Sequence, residues 1–152
     1  MLDVSSGVEL STRPDVSVWL PGIPRGKGRP RSMVMRKRDT CRPFVHVYSD
    51  GETVSYEAEL KFAAEKAMRG RRPLDEAMCC RVTALFPWPG SWSEKKKLQI
   101  TNHTVKPDGD NILKCLDALK GVVWSDDSRV SEWLIRKIFD DIPGLLIEVW
   151  VI

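Results

Sequence analysis

The stretch Lys106-Pro-Asp-Gly-Asp-Asn-Ile-Leu-Lys-Cys-Leu-Asp-Ala-Leu-Lys-Gly-Val-Val-Trp-Ser-Asp-Asp-Ser-Arg-Val130 decides how the rest of the chain is read. Asp110 to Leu119 predicts a short helix with Ile112, Leu113, Leu116 and Leu119 facing inward, ended by Gly121. Acid-rich turns flank it: Asp108-Gly-Asp110 before the helix and Ser125-Asp126-Asp127 after it, just ahead of a β-rich segment. Arg129 to Phe139 reads as a strand, with a helix as the alternative, and Gly144-Leu-Leu-Ile-Glu-Val-Trp-Val-Ile152 has the near-continuous apolar character of a central strand.

Working outward, Met78 to Phe86 reads as a strand closed by Pro87-Trp-Pro-Gly90, after which Ser91 is placed to cap a short helix through Ile100. Thr53 begins the clearest helix. Val54, Glu57, Ala58, Lys61, Phe62, Glu65 and Lys66 recur at three- and four-residue spacing, and Gly70 and Pro73 stop it. Val16 to Leu20 and Phe44 to Tyr48 alternate as strands, and residues 22–42 between them lack either period and read as a long basic loop or open hairpin. Residues 1–15 are polar, carry Pro14 and are expected to form a flexible arm before a single domain spanning 16–152. Strands interleaved with helices make that domain α/β or α+β, with a mixed sheet flanked by helices.

With 152 residues, 42% of them hydrophobic and 30% charged, the chain is long enough to bury a core without staples. No apolar run approaches the roughly 20 residues of a membrane span, and the N-terminus is not patterned as a secretory signal. Cys41, Cys79, Cys80 and Cys115 form no CxxC and, with only His46 and His103, no zinc-finger spacing, so free thiols in a reducing cytoplasm are expected. The net charge of +3 says little, but its distribution is informative. Between Val16 and Ser49, Arg25, Lys27, Arg29, Arg31, Arg36, Lys37, Arg38 and Arg42 face Asp39 alone. Between Val105 and Asp127, Asp108, Asp110, Asp117, Asp126 and Asp127 outnumber Lys106, Lys114 and Lys120. A basic surface beside an acidic pocket suits a polyanion and a divalent cation.

Asp108 and Asp110, two apart in extended backbone, can aim at one point, and converging carboxylates repel unless a hard cation such as Mg²⁺, or Mn²⁺ in its place, joins them. The same residues also suit plain turns and a helix cap. An EF-hand is excluded, because Ile112 and Leu119 would stand at ligand positions, and Arg25-Gly-Lys-Gly28 lacks phosphate-loop spacing.

The pattern K-P-D-G-D-N-I-L-K-x-x-D-A-L-x-G-x-x-W-x-D-D-x-x-V closely resembles the signature of the RusA family of Holliday junction resolvases, and G-I-P-R-G-K-G-R-P-R at 22–31 resembles the basic motif of its phage-type members. The likeness runs over residues 16–138. It implies a RusA-like mixed fold, a cytoplasmic protein of bacterial or phage origin, and a homodimer. It also implies Mg²⁺-dependent cleavage of four-way DNA junctions in recombination and repair, leaving 5′-phosphate and 3′-hydroxyl ends. The family's paired acids fall on Asp108 and Asp110, its lysine on Lys114, and its third acid on the Asp126-Asp127 pair, with Asp127 favoured and Asp126 assisting at the metal. Members differ by about one residue between the lysine and D-A-L, which leaves Asp117 a structural or supporting role. Arg25, Lys27, Arg29 and Arg31 are expected to grip phosphates, and the six tryptophans read as core or dimer-interface residues, with base stacking as the alternative for Trp88 and Trp92. The competing readings are a broader flap and branched-DNA nuclease with the same site, and a junction-binding module without catalysis.

Overall fold

The computed structural model describes residues 10–152. Six strands and three α-helices follow in the order β1 (Val16–Pro21), β2 (Arg31–Arg36), β3 (Pro43–Tyr48), α1 (Gly51–Met68), β4 (Met78–Phe86), α2 (Glu94–Gln99), α3 (Gly109–Lys114), β5 (Val130–Phe139) and β6 (Gly144–Val151). Four of the strands make one mixed sheet ordered β1-β6-β4-β5, antiparallel except for the parallel β4–β5 pair. The long apolar run thus lies inside the sheet, as its composition requires, and Arg129–Phe139 resolves as a strand. Strands β2 and β3 form a separate antiparallel ribbon, so the basic 22–42 segment is a loop over 22–30 followed by the first strand and turn of an open hairpin.

Val16, Val18 and Leu20 of β1 alternate inward with Leu145, Ile147 and Val149 of β6 and Cys80, Val82 and Ala84 of β4. Against that face pack Tyr56, Leu60, Ala64 and Met68 of α1, and Ile112, Leu116 and Leu119 of the acidic segment. The α1 stripe is not the one suggested by Val54 and Phe62, both of which are exposed. Helices cover one face of a mostly antiparallel sheet, an α+β arrangement. On the other face Trp19 lies across Gly144, where any Cβ would stand 2.0 Å from the indole edge.

Local chemistry sets the helix ends. Asp50 caps α1 by accepting from the Thr53 amide, and Arg69, in the left-handed region at φ 51°, ends it before Gly70. Helix α2 is capped by Ser93, two residues beyond the expected Ser91, because Trp92 is drawn out of the helix into a cluster with Trp88 and Phe139. The helix expected over 110–119 is α-helical only to Lys114 and tightens to 3-10 geometry over Cys115–Leu119, which lines up Leu116 and Leu119 three apart. Of the expected arm, residues 1–9 lie outside the described residues. Ser11 accepts through its carbonyl from Trp150, and Asp15 donates from its amide to Val149. No helix among the described residues is long and apolar enough to cross a membrane.

Candidate active site

The basic loop is pinned directly onto the acidic helix. A Cβ on Gly26 would stand 2.9 Å from Cβ of Pro107 and 3.0 Å from Cβ of Asn111, a close approach that only glycine allows. One residue on, the Lys27 amide donates to the Asn111 carbonyl at 2.8 Å, and the Cys115 thiol reaches the Arg25 carbonyl at 3.5 Å. The side chains then bind the loop to α1: Arg25 pairs with Glu52, while Lys27 Nζ lies 2.9 Å from Glu57 and 3.2 Å from Asp117. The Glu57 carboxylate, with Asp117 adding to it, holds the Lys27 ammonium above its ordinary value. Among the described residues Arg29 and Arg31 form no ion pair and are exposed. A cleft of about 430 Å³ lies under this loop, walled by Pro24, Arg25, Arg31, Asp50, Glu52 and Pro107.

Strand β5 positions the acidic segment from below. Parallel pairing places Trp133, Ile135 and Lys137 beside Cys80, Val82 and Ala84, on the helix side of the sheet. Trp133 meets Trp124 edge-on at 5.8 Å, Ile135 lies under Gly109, and Lys137 Nζ donates to the carbonyls of Val105 and Pro107 at 2.6 and 2.7 Å. Lys137 therefore fixes the turn that leads into Asp108. Sequence reasoning missed it, because a lysine in an alternating strand carries no mark of its destination.

Asp108 stands exposed at the N-cap of α3 and makes no capping hydrogen bond with its side chain. Asp110, in the first turn of the helix, pairs with Lys114 at 3.0 Å, and that lysine also donates to Asn111 at 3.1 Å. The ammonium holds the Asp110 carboxyl below its ordinary range. Asp126 pairs with Lys120 at 2.7 Å and accepts from the Ser128 amide, which together keep its carboxyl well below the usual range. Asp127 accepts from the buried Trp124 indole at 2.7 Å. Lys120 also lies in the field of Asp127 and Asp117, so it is the hub of the second acidic group; the sequence reading counted it only as one of the charges of the segment.

The four expected metal-binding carboxylates are not gathered into one cluster. Among the described residues no three acidic, histidine or cysteine side chains converge where one cation would be held. Local partners hold three of the four: Lys114 pairs with Asp110, Lys120 with Asp126, and the Trp124 indole donates to Asp127, while Asp108 stands without an ion pair among the described residues. The donor set nevertheless fits a divalent cation in chemistry, since Asp108 and Asp110, both exposed, and Asp126 and Asp127, both half-buried, supply hard carboxylate oxygens. Trp88 and Trp92 stack around Phe139, which builds them into the end of the sheet.

A family model described as "Endodeoxyribonuclease RusA" matches residues 21–150, nearly the whole chain. The chain belongs to the RusA family. It is accordingly an endodeoxyribonuclease, a hydrolase acting on DNA, from a family whose nucleases are divalent-metal dependent. RusA membership also implies action on Holliday junctions and binding of branched DNA. No curated protein matches the chain in sequence.

Proposed function

We propose that this RusA protein resolves four-way junctions in recombination and repair by Mg²⁺-dependent cleavage, acting as a homodimer in the cytoplasm of a bacterial or phage-infected cell. The observation that supports the reading is the docking of the basic loop on the acidic helix through Gly26, which brings the chain leading to Arg29 and Arg31 close to the segment carrying Asp108 and Asp110. Asp108, Asp110 and Asp127, with Asp126 assisting, would hold the cation. When bound, Mg²⁺ makes its water a better nucleophile and stabilises charge developing on the scissile phosphate.

The remaining roles belong to the chain's own side chains. Lys114, exposed one turn after Asp110, keeps that carboxylate ionised and is free to turn to the phosphate once Asp110 is otherwise engaged. Lys120 serves Asp126 in the same way. Arg29 and Arg31 grip backbone phosphates, whereas Arg25 and Lys27 are held in ion pairs with α1 and chiefly position the loop. Two copies about a two-fold axis suit a junction with two equivalent strands to cut.

The decisive experiment is cleavage of a synthetic mobile junction with and without Mg²⁺, beside three-way and flap substrates. The wild type is expected to cut the four-way junction fastest and only with metal. Asp110→Asn should bind it but cut about a hundredfold more slowly or worse, since metal stabilisation of the transition state is worth several kcal/mol. Equal cutting of flaps would favour the broader nuclease, and an Asp110→Asn protein as fast as wild type would end the catalytic assignment.

A further inference from the structure

The ribbon of β2 and β3 pairs only with itself: Met33 faces His46, Val34 faces Val45 and Met35 faces Phe44. A two-stranded ribbon alone is marginally stable in water. Yet its apolar side chains are 38–71% exposed, an apolar surface that calls for an occupant. The two faces differ. One carries Val34, Val45 and Val47; the other carries Phe44, His46 and Tyr48 opposite Met35, Met33 and Arg31, with the His46 and Tyr48 rings stacked at 6.0 Å.

Charge selects the occupant. Arg29, Arg31, Arg36, Lys37, Arg38 and Arg42 surround the ribbon with Asp39 as the one acid, and none of the six forms an ion pair among the described residues. A second copy docking ribbon to ribbon would set those cations against their own equivalents. A phosphate backbone would neutralise them. Rings flanked by arginine are also the chemistry that takes bases, which offer flat faces only where they are unstacked. The ribbon grows from the edge of the cleft under the basic loop, which reaches Pro107 beside Asp108, since Arg31 and Pro107 wall the same space and Gly28 packs against the Asp50 carboxylate.

We propose that the Phe44–His46–Tyr48 face is a stacking platform for unstacked bases at a DNA branch point, with Arg36, Lys37, Arg38 and Arg42 on the neighbouring phosphates. This rests on the reading of the chain as a branched-DNA endonuclease and adds to it a second contact surface, one that recognises exposed bases rather than backbone.

The test uses the full chain in EDTA, a four-way junction carrying 2-aminopurine at the branch, and a duplex of equal length. Wild-type protein should change the 2-aminopurine fluorescence. Phe44→Ala with Tyr48→Ala should lose about tenfold in junction affinity for each ring removed, with duplex affinity within about twofold. Sedimentation and thermal melting should stay as in wild type. Val45→Thr with Val47→Thr, on the opposite face, should bind like wild type. A double-alanine protein that binds the junction normally overturns the platform. Lost binding with a fall from two copies to one overturns it in favour of an interface between copies. Wild-type protein that cuts junctions in Mg²⁺ without touching the fluorescence overturns the platform alone. Wild-type protein that neither prefers nor cuts junctions overturns the platform and the proposed function together.

Discussion

The basic segment divides at Gly28 into two halves of similar composition and opposite use. In the first half, Arg25 and Lys27 are neutralised by Glu52, Glu57 and Asp117, and Gly26 is wedged against Pro107 and Asn111. In the second, Arg29, Arg31 and the ribbon cations stand in solvent without ion partners among the described residues. The first half is a bracket that aligns a loop, a helix and an acidic turn; the second is the half that the proposed function gives to a polyanion. Positive charge in a sequence is therefore not a count of ligand contacts until its partners are known.

The largest effect that separates the halves is expected at Gly26. Gly26→Ala forces a Cβ into Pro107 and Asn111, so the loop must lift or α3 must shift. Overpacking of this kind costs about 1–3 kcal/mol. Thermal melting should fall by roughly 2–10 °C, with junction cleavage falling alongside. Gly28→Ala, whose Cβ would meet only the Asp50 carboxylate that caps α1, is the milder comparison and should cost less than Gly26→Ala.

A crossed pair of variants gives the next effect. Lys27→Ala leaves Glu57 without its cation and should destabilise the fold by about 1–3 kcal/mol in denaturant titrations, while the salt dependence of DNA binding is unchanged. Arg29→Ala with Arg31→Ala should do the reverse, leaving melting unaltered and reducing the slope of log affinity against log salt by about 2. If both proteins lost slope equally, the division of labour would be wrong.

Legibility followed the same boundary between pattern and partner. Strands β1, β3, β4 and β6 and helix α1 were visible because alternation and helical spacing are properties of neighbours in sequence. The two acid pairs and Lys114 were visible because the motif holding them is contiguous. What stayed hidden were the long-range counterparts. Glu52 and Glu57 lie about 30 residues from the cations they hold, Lys137 reaches back to two carbonyls before α3, and Lys120 gathers the second acidic group. Those pairings depend on how the sheet is threaded. The four carboxylates were expected to gather around a hard cation, but Asp110 and Asp126 each pair with a lysine nearby in sequence, and Asp127 accepts from the Trp124 indole. The α2 boundary moved from Ser91 to Ser93 because an aromatic cluster outcompeted one extra turn of helix.

The smallest effect concerns His103, buried and stacked on Phe86 at 3.8 Å, with Nδ1 unpartnered. Burial, with Lys137 nearby, lowers its folded pKa below the ordinary 6.5. Below pH 6.5 the unfolded chain therefore binds the proton more readily than the folded one, so stability is full above that pH and declines as pH falls toward the folded value. The melting temperature of wild type should drop between pH 7 and pH 5, and His103→Phe should flatten that drop. An unchanged slope in the variant would assign the acid sensitivity elsewhere.

The indole of Trp19 lying across Gly144 works as an indexing peg for the whole sheet. Sliding β1 by one residue along β6 would bring a side-chain-bearing neighbour, Pro143 or Leu145, under the ring and turn Val16, Val18 and Leu20 toward solvent. Only one alignment of the outermost strand is thus admissible, and the loop that leaves its far end at Pro21 is delivered to Pro107 and Asn111 from a fixed starting point.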